Sequence, residues 1–132
     1  MTQKEADEII AQHKGWLRQP LARRSKAEGK ARFENVSFCG LSFKDAAMGL
    51  AYFYRCDFTG CDLTGVNLEG ATLLYCSLDG AKLNGAKLAG AALKTVAWTE
   101  ATGTRVTVSL LQGNIEQGLK WREDHLRSTL ET

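Results

Sequence analysis

The side chains able to do covalent, acid–base or metal chemistry are few in this chain, and they are badly spaced for it. Four cysteines, Cys39, Cys56, Cys61 and Cys76, could ligate zinc as thiolates, pair as disulfides or act as nucleophiles. None falls in a C-x-x-C pair and no histidine lies near them, so the spacing of a structural zinc site is absent. The two histidines, His13 and His125, sit in opposite terminal segments. Asp57, Asp62, Asn67 and Asp79 invite an acid–base reading, and the many serines and threonines a nucleophilic one. No histidine accompanies them by spacing, and no phosphate-cradling glycine loop, H-E-x-x-H or nucleophile elbow occurs. The sequence therefore assigns no catalytic residue, no metal ligand set and no cofactor site, and the expectation is a protein that is not an enzyme.

Composition narrows the classes further. The chain has 132 residues, the size of one domain. Its 44% apolar content is too high for a disordered chain, and 24% charged residues is too many for a membrane bundle. No run approaches the roughly 18 apolar residues of a membrane span. Residues 1–17 carry Glu5, Asp7 and Glu8 and hold no apolar core of signal-peptide length. The expectation is a cytoplasmic protein with free thiols and no membrane contact. With 17 basic against 15 acidic residues, the net charge of +2 supports neither a strongly basic nucleic-acid binder nor a strongly acidic mimic, so no nucleic-acid partner is expected. One charge cluster stands out: Arg18, Arg23, Arg24, Lys26, Lys30 and Arg32 against a single Glu28. It reads as a solvated linker. A phosphate contact is the alternative, although interleaved aromatics are missing.

The elements that position these residues follow from an internal repeat. Phe33, Phe38, Phe43, Met48, Phe53, Phe58, Leu63, Leu68, Leu73, Leu78, Leu83, Leu88 and Leu93 recur every five residues, each preceded two residues earlier by a small or modest apolar residue. A helix of 3.6 residues per turn would scatter these side chains around its axis. A plain strand would put every second one in water. A chain that turns a corner every five residues points both inward on each short side, and four sides make a square coil of about twenty residues, stacked at roughly 4.8 Å. The last residue of the pentad is mostly glycine, but Asn35, Arg55, Tyr75 and Thr95, spaced by twenty, are not; this supports four sides per coil, although Asp45, Leu50 and Glu100 are further exceptions.

The pentads C-D-L-T-G, V-N-L-E-G, A-K-L-N-G and A-K-L-A-G resemble the A(D/N)LXX motif of the pentapeptide-repeat family, over about residues 31–108. The resemblance implies an all-β solenoid, a right-handed quadrilateral β-helix of about four coils. A solenoid needs its apolar ends covered. Residues 3–18 read as a helix with Thr2 and Glu5 in a capping-box pattern and an apolar stripe of Ala6, Ile9, Ile10, His13, Trp16 and Leu17, so a lid over the first coil is expected, with His13 as a packed, satisfied side chain. Leu111, Ile115, Leu119, Leu126 and Leu130 suggest a second helix over roughly 110–130, with Trp121 off its stripe as a contact for a dimer or for the last coil. The organisation read from the sequence is thus 1–30 capping helix and basic linker, 31–108 β-helix, 109–132 C-terminal capping helix.

Two further expectations concern surfaces. Cys56, Cys61 and Cys76 are inward by register, whereas Cys39 points outward and is the candidate reactive thiol. At twenty-residue spacing one side presents Glu34–Asn35, Tyr54–Arg55, Leu74–Tyr75 and Lys94–Thr95 where the other sides present small polar residues and glycine. Tyr54, Arg55, Leu74 and Tyr75 form a candidate docking face, either for a protein partner or for the chain's own linker 19–30 or C-terminal helix. The function expected is a structural or protein-interaction scaffold. The alternative implied by the resemblance, a DNA-mimicking modulator of a type II topoisomerase, is disfavoured because residues 31–100 hold six basic and seven acidic residues.

Overall fold

The structure, a computed structural model, describes residues 1–25, 28–97, 100–103, 105–106 and the backbone of 112–113. A helix α1 (Gln3–Leu17) and a short helix α2 (Leu21–Arg24) precede five strands, β1 (Arg32–Glu34), β2 (Tyr52–Tyr54), β3 (Thr72–Leu74), β4 (Ala92–Lys94) and β5 (Gln112–Gly113). The strands form one parallel sheet in chain order, and every pairing is offset by twenty residues, as in Phe33↔Phe53 and Leu73↔Leu93. The other three sides of the coil are held by single parallel bridges at the same offset, among them Asp57↔Ser77, Asp62↔Lys82 and Asn67↔Lys87. The chain is a quadrilateral β-helix. Its register reaches Gln112–Gly113, inside the segment the apolar spacing gave to a C-terminal helix, so the coil extends beyond 108; the remaining residues of that helix, Trp121 included, lie outside the described residues.

Among the described residues both inward positions of the pentad are buried from Phe43 onward, through the small column (Ala51, Cys61, Ala71, Ala81) and the large one (Phe53, Leu63, Leu73, Leu83). The aromatic half of the core is ordered by ring contacts: Phe38 stacks on Phe58 at 5.0 Å, and Phe53 meets Phe58 edge-on at 5.0 Å. Outward Asp57, Asp62 and Asn67 do structural work rather than facing water alone. Each accepts the backbone amide two residues on, from Thr59 (2.9 Å), Thr64 (3.0 Å) and Glu69 (2.9 Å). That is why the motif prefers Asp or Asn there: the side chain satisfies an amide at the corner that the ladder leaves over. The Thr59 and Thr64 hydroxyls and amides hold the carboxyls of Asp57 and Asp62 below their usual range.

The first coil has no coil before it, and α1 supplies the missing partners. Thr2 forms the expected capping box with Glu5. The Gln3 carboxamide accepts from the Ser42 amide and donates to the Ser42 carbonyl, both at 2.8 Å, as a peptide of a preceding coil would. His13, fully buried, accepts the Ala31 amide at Nδ1 (2.8 Å), so Nε2 carries the proton and donates to the Gly49 carbonyl (2.7 Å). Its ring stacks on Trp16.

Candidate functional site

The four sides of the coil are not equivalent. On three of them the corner is closed by a backbone bond from residue i+3 to residue i, as in Leu41 N–H to Phe38 (3.1 Å) and Cys61 N–H to Phe58 (3.0 Å). The residue before each closure, Gly40 (φ 71°) or Gly60 (φ 67°), is left-handed, the signature of a type II turn that glycine fills without strain. On the fourth side, among the described residues, no such bond closes the corners at Asn35, Arg55, Tyr75 and Thr95. The chain stays extended through three residues there, giving β1 to β4, and the corner residues still adopt left-handed φ of 53–56°. Cysteine thiols approach backbone carbonyls from inside on this side, as Cys61 Sγ approaches the Phe38 oxygen (3.3 Å) at a closed corner. Cys56 Sγ approaches the Phe33 and Tyr54 oxygens (3.7 and 3.5 Å), and Cys76 Sγ those of Phe53 and Leu74 (3.5 and 3.4 Å).

This side carries all the residues read as a docking face, and it brings them together. Tyr54 and Tyr75 meet edge-to-face at 5.8 Å; Tyr54 and Leu74 are half-buried, Arg55 is exposed and Tyr75 is 43% exposed. The Arg55 guanidinium lies over the Tyr54 ring at 5.2 Å. Two partners were not singled out from the sequence. Lys94 sits over Tyr75 at 5.6 Å, and Arg32 over Tyr52 at 4.8 Å. The twenty-residue offset already places Arg32 beside Tyr52 and Lys94 beside Leu74; what it lacks is the diagonal reach of a long side chain to the neighbouring coil. All three tyrosines of the chain are on this side.

The basic linker is more than solvated chain. Arg24 donates to the Leu17 and Gln19 carbonyls (2.6 and 3.1 Å), and its own carbonyl accepts from Trp16 Nε1 (2.9 Å). The Arg24 and Lys30 cations both lie over the Trp16 ring, at 5.5 and 5.3 Å, so Trp16 supplies the aromatic partner that the linker lacks in sequence. Trp16, Arg24, Lys30 and Arg32 line one open groove with Ser25, Glu28 and Gly29. The described part of the linker thus packs at Trp16, while Tyr75 keeps its exposure.

The cysteines are free thiols; Cys39 is exposed and the other three are buried. Burial pushes the Cys61 thiol up to about 12. A bond between the stacked sulfurs of Cys56 and Cys76 lowers the former and raises the latter, and burial adds to the rise. The Cys39 thiol hydrogen-bonds to the Asp57 carboxylate. No three His, Cys, Asp or Glu side chains converge on a metal-sized site among the described residues, and no described helix is long and apolar enough to cross a membrane.

Comparison with known proteins matches residues 51–90, in eight copies, to the family described as pentapeptide repeats. The apolipoprotein N-acyltransferase of Nitrosomonas europaea is 53% identical over 36 residues, which are 27% of this chain and 7% of that protein. The chain therefore spans only a small fraction of the length of the curated relatives it matches. Among solved structures, a pentapeptide repeat protein from the Arabidopsis thaliana thylakoid lumen aligns over 75% of this chain and 81% of its own, with 16% identity and a TM-score of 0.45. QnrB1, a plasmid-mediated fluoroquinolone resistance protein, aligns over 67% of this chain and 62% of its own, with 15% identity and a TM-score of 0.23.

Proposed function

The repeat region of this chain belongs to the pentapeptide-repeat family, and from that premise we propose a non-enzymatic scaffold that engages a protein partner through the side built by β1 to β4. The observation that carries this reading is the edge-to-face pair of half-buried Tyr54 and exposed Tyr75, with Leu74 and Arg55 beside it, on the only side of the described coil made of three-residue strands. Elsewhere most corners carry a glycine beside a small or polar residue, with Leu50, 40% exposed, the large apolar exception, and several outward side chains are occupied in holding corners. Aromatic and arginine side chains on a flat, otherwise small-residue surface are the composition of an interface core. Residues 31–100, with six basic and seven acidic side chains, lack the acidic surface of a DNA mimic.

The test is Leu74→Ser with Tyr75→Ser. A partner is recovered from source cells with the wild-type protein as bait, identified, purified and titrated against both forms. The double variant keeps its melting temperature and loses the purified partner. A variant that melts early identifies the face as internal packing, and a variant that binds the partner unchanged removes the face from the interaction.

A further inference from the structure

Every cation–π contact of the described residues lies on one continuous track. It starts at the cap, where Arg24 and Lys30 lie over Trp16, and passes to Arg32 over Tyr52, Arg55 over Tyr54 and Lys94 over Tyr75. The groove that holds Trp16 and Lys30 also holds Arg32, the first residue of β1, so the cap and the strand side share a surface. Arg24 is spent on the carbonyls at the end of α1 and is half-buried. Lys30, Arg32, Arg55 and Lys94 are exposed, and the acidic side chains among them are Glu28 and Glu34. Ring faces beneath these cations fix the side chains without neutralising them.

We propose that this track binds an extended acidic segment of a protein partner, a specificity that rests on the docking-face reading above. Three features favour it over other anions. The cations are spread over a flat side rather than gathered in a cup, which suits a chain and not a single small anion. Arg32, Arg55 and Lys94 lie in the first, second and fourth coils, so their axial steps are about 5 and 10 Å at the inter-strand spacing. A strand laid along the axis offers same-side carboxylates about 7 Å apart, within reach of these long side chains. Each tyrosine ring already carries one of the protein's own cations on a face, so a base stacking there must displace Arg32, Arg55 or Lys94, which disfavours single-stranded nucleic acid.

The experiment is fluorescence anisotropy with a labelled peptide of alternating Asp and Ser, a matched Asn–Ser peptide and a labelled oligothymidylate, at low and at physiological salt. The full chain binds the acidic peptide, more weakly as salt rises, and does not bind the Asn–Ser peptide. Arg32→Gln, Arg55→Asn and Lys94→Gln together weaken the acidic peptide about tenfold, since each exposed pair contributes modestly. Arg55→Asn is chosen because Asn tolerates the left-handed backbone at that corner (φ 53°). Equal binding of the two peptides, or no effect of the triple variant, overturns the proposal, and tighter binding of the oligothymidylate replaces it with a nucleic-acid surface. If the acidic peptide fails while Leu74→Ser with Tyr75→Ser still abolishes the purified partner, the docking face stands and only its acidic preference falls.

Discussion

His13 is the hinge between cap and coil, and its loss has a calculable effect. His13→Ala leaves the Ala31 amide and the Gly49 carbonyl without their buried partner and removes the stack on Trp16. Each orphaned backbone group costs about 1–3 kcal/mol, and the stack about 0.5–1.5 kcal/mol. The sum is about 2.5–7.5 kcal/mol, large against the total stability of a small domain. Urea unfolding gives the global loss, and amide hydrogen exchange locates it: the amides of Ala31 and Ser42, both bonded to α1 side chains, lose protection together, while Leu63, bonded to Lys82 between inner coils, keeps it if the cap alone detaches. The ring also sets a pH window. Burial, with the nearby Lys30 charge adding to it, holds the His13 pKa below its usual 6.5 against an opposing bond to Gly49. The unfolded chain therefore takes up a proton before the folded one does. Stability is full above about pH 6.5 and falls as pH drops below it, by up to about 1.4 kcal/mol per pH unit, until the folded ring protonates and the Nδ1 bond to Ala31 is lost. His13→Gln removes this slope. Unchanged exchange at Ala31 in His13→Ala, or the same slope between pH 6.5 and 5 in wild type and His13→Gln, would refute the assignment of His13 as the clamp.

Two further outcomes test the register and the corner geometry. Thr95 is exposed, β-branched and left-handed at φ 53°, a conformation costing about 1–2 kcal/mol, so Thr95→Gly raises stability by up to about 1 kcal/mol after glycine's extra unfolded-state entropy, and the reverse change Gly60→Thr (φ 67°, open space around it) lowers it; calorimetry reads both. Brief treatment of the native protein with a mild thiol reagent labels Cys39 and spares Cys56, Cys61 and Cys76, as followed by mass spectrometry; equal labelling of all four contradicts the burial of the inward column.

Much of the fold is legible in the residues because two periods coincide. Inward side chains recur every five residues, and one corner in four, at Asn35, Arg55, Tyr75 and Thr95, is without glycine in every coil, at the twenty-residue offset of every strand pair. The capping box at Thr2 and Glu5 and the buried stripe of α1 are local signals that tertiary packing does not override. The segment after Val106 is different. Leu111, Ile115 and Leu119 fit a helical spacing of four as well as Leu111 fits the small inward column, and strand pairing of Ala92 with Gln112 decides for the coil at that point. The contacts of Trp16 with Arg24 and Lys30 were also hidden, because the aromatic partner of the linker lies in a preceding helix and not within the linker itself.

The column Asn35, Arg55, Tyr75 and Thr95 shows how a packing detail becomes a surface. A closed corner is left-handed and mostly glycine, although Asp45 and Leu50 adopt the same conformation, and several of the outward positions before it carry short side chains that hold the turn. Where the closing bond is missing, three residues pair as a strand in place of one, and the Cys56 and Cys76 thiols approach carbonyls from inside, as Cys61 does at the closed corner of Phe38. The outward positions are then released from holding the backbone, and the strand geometry turns their side chains squarely away from the core. Long side chains stand there in register from coil to coil, close enough for Arg55 to cover Tyr54 and for Lys94 to reach Tyr75. The three-residue strands and the tyrosine–cation rows therefore fall together: of four similar sides, the one with open corners presents its aromatic side chains in adjoining coils, and that side is where recognition is proposed.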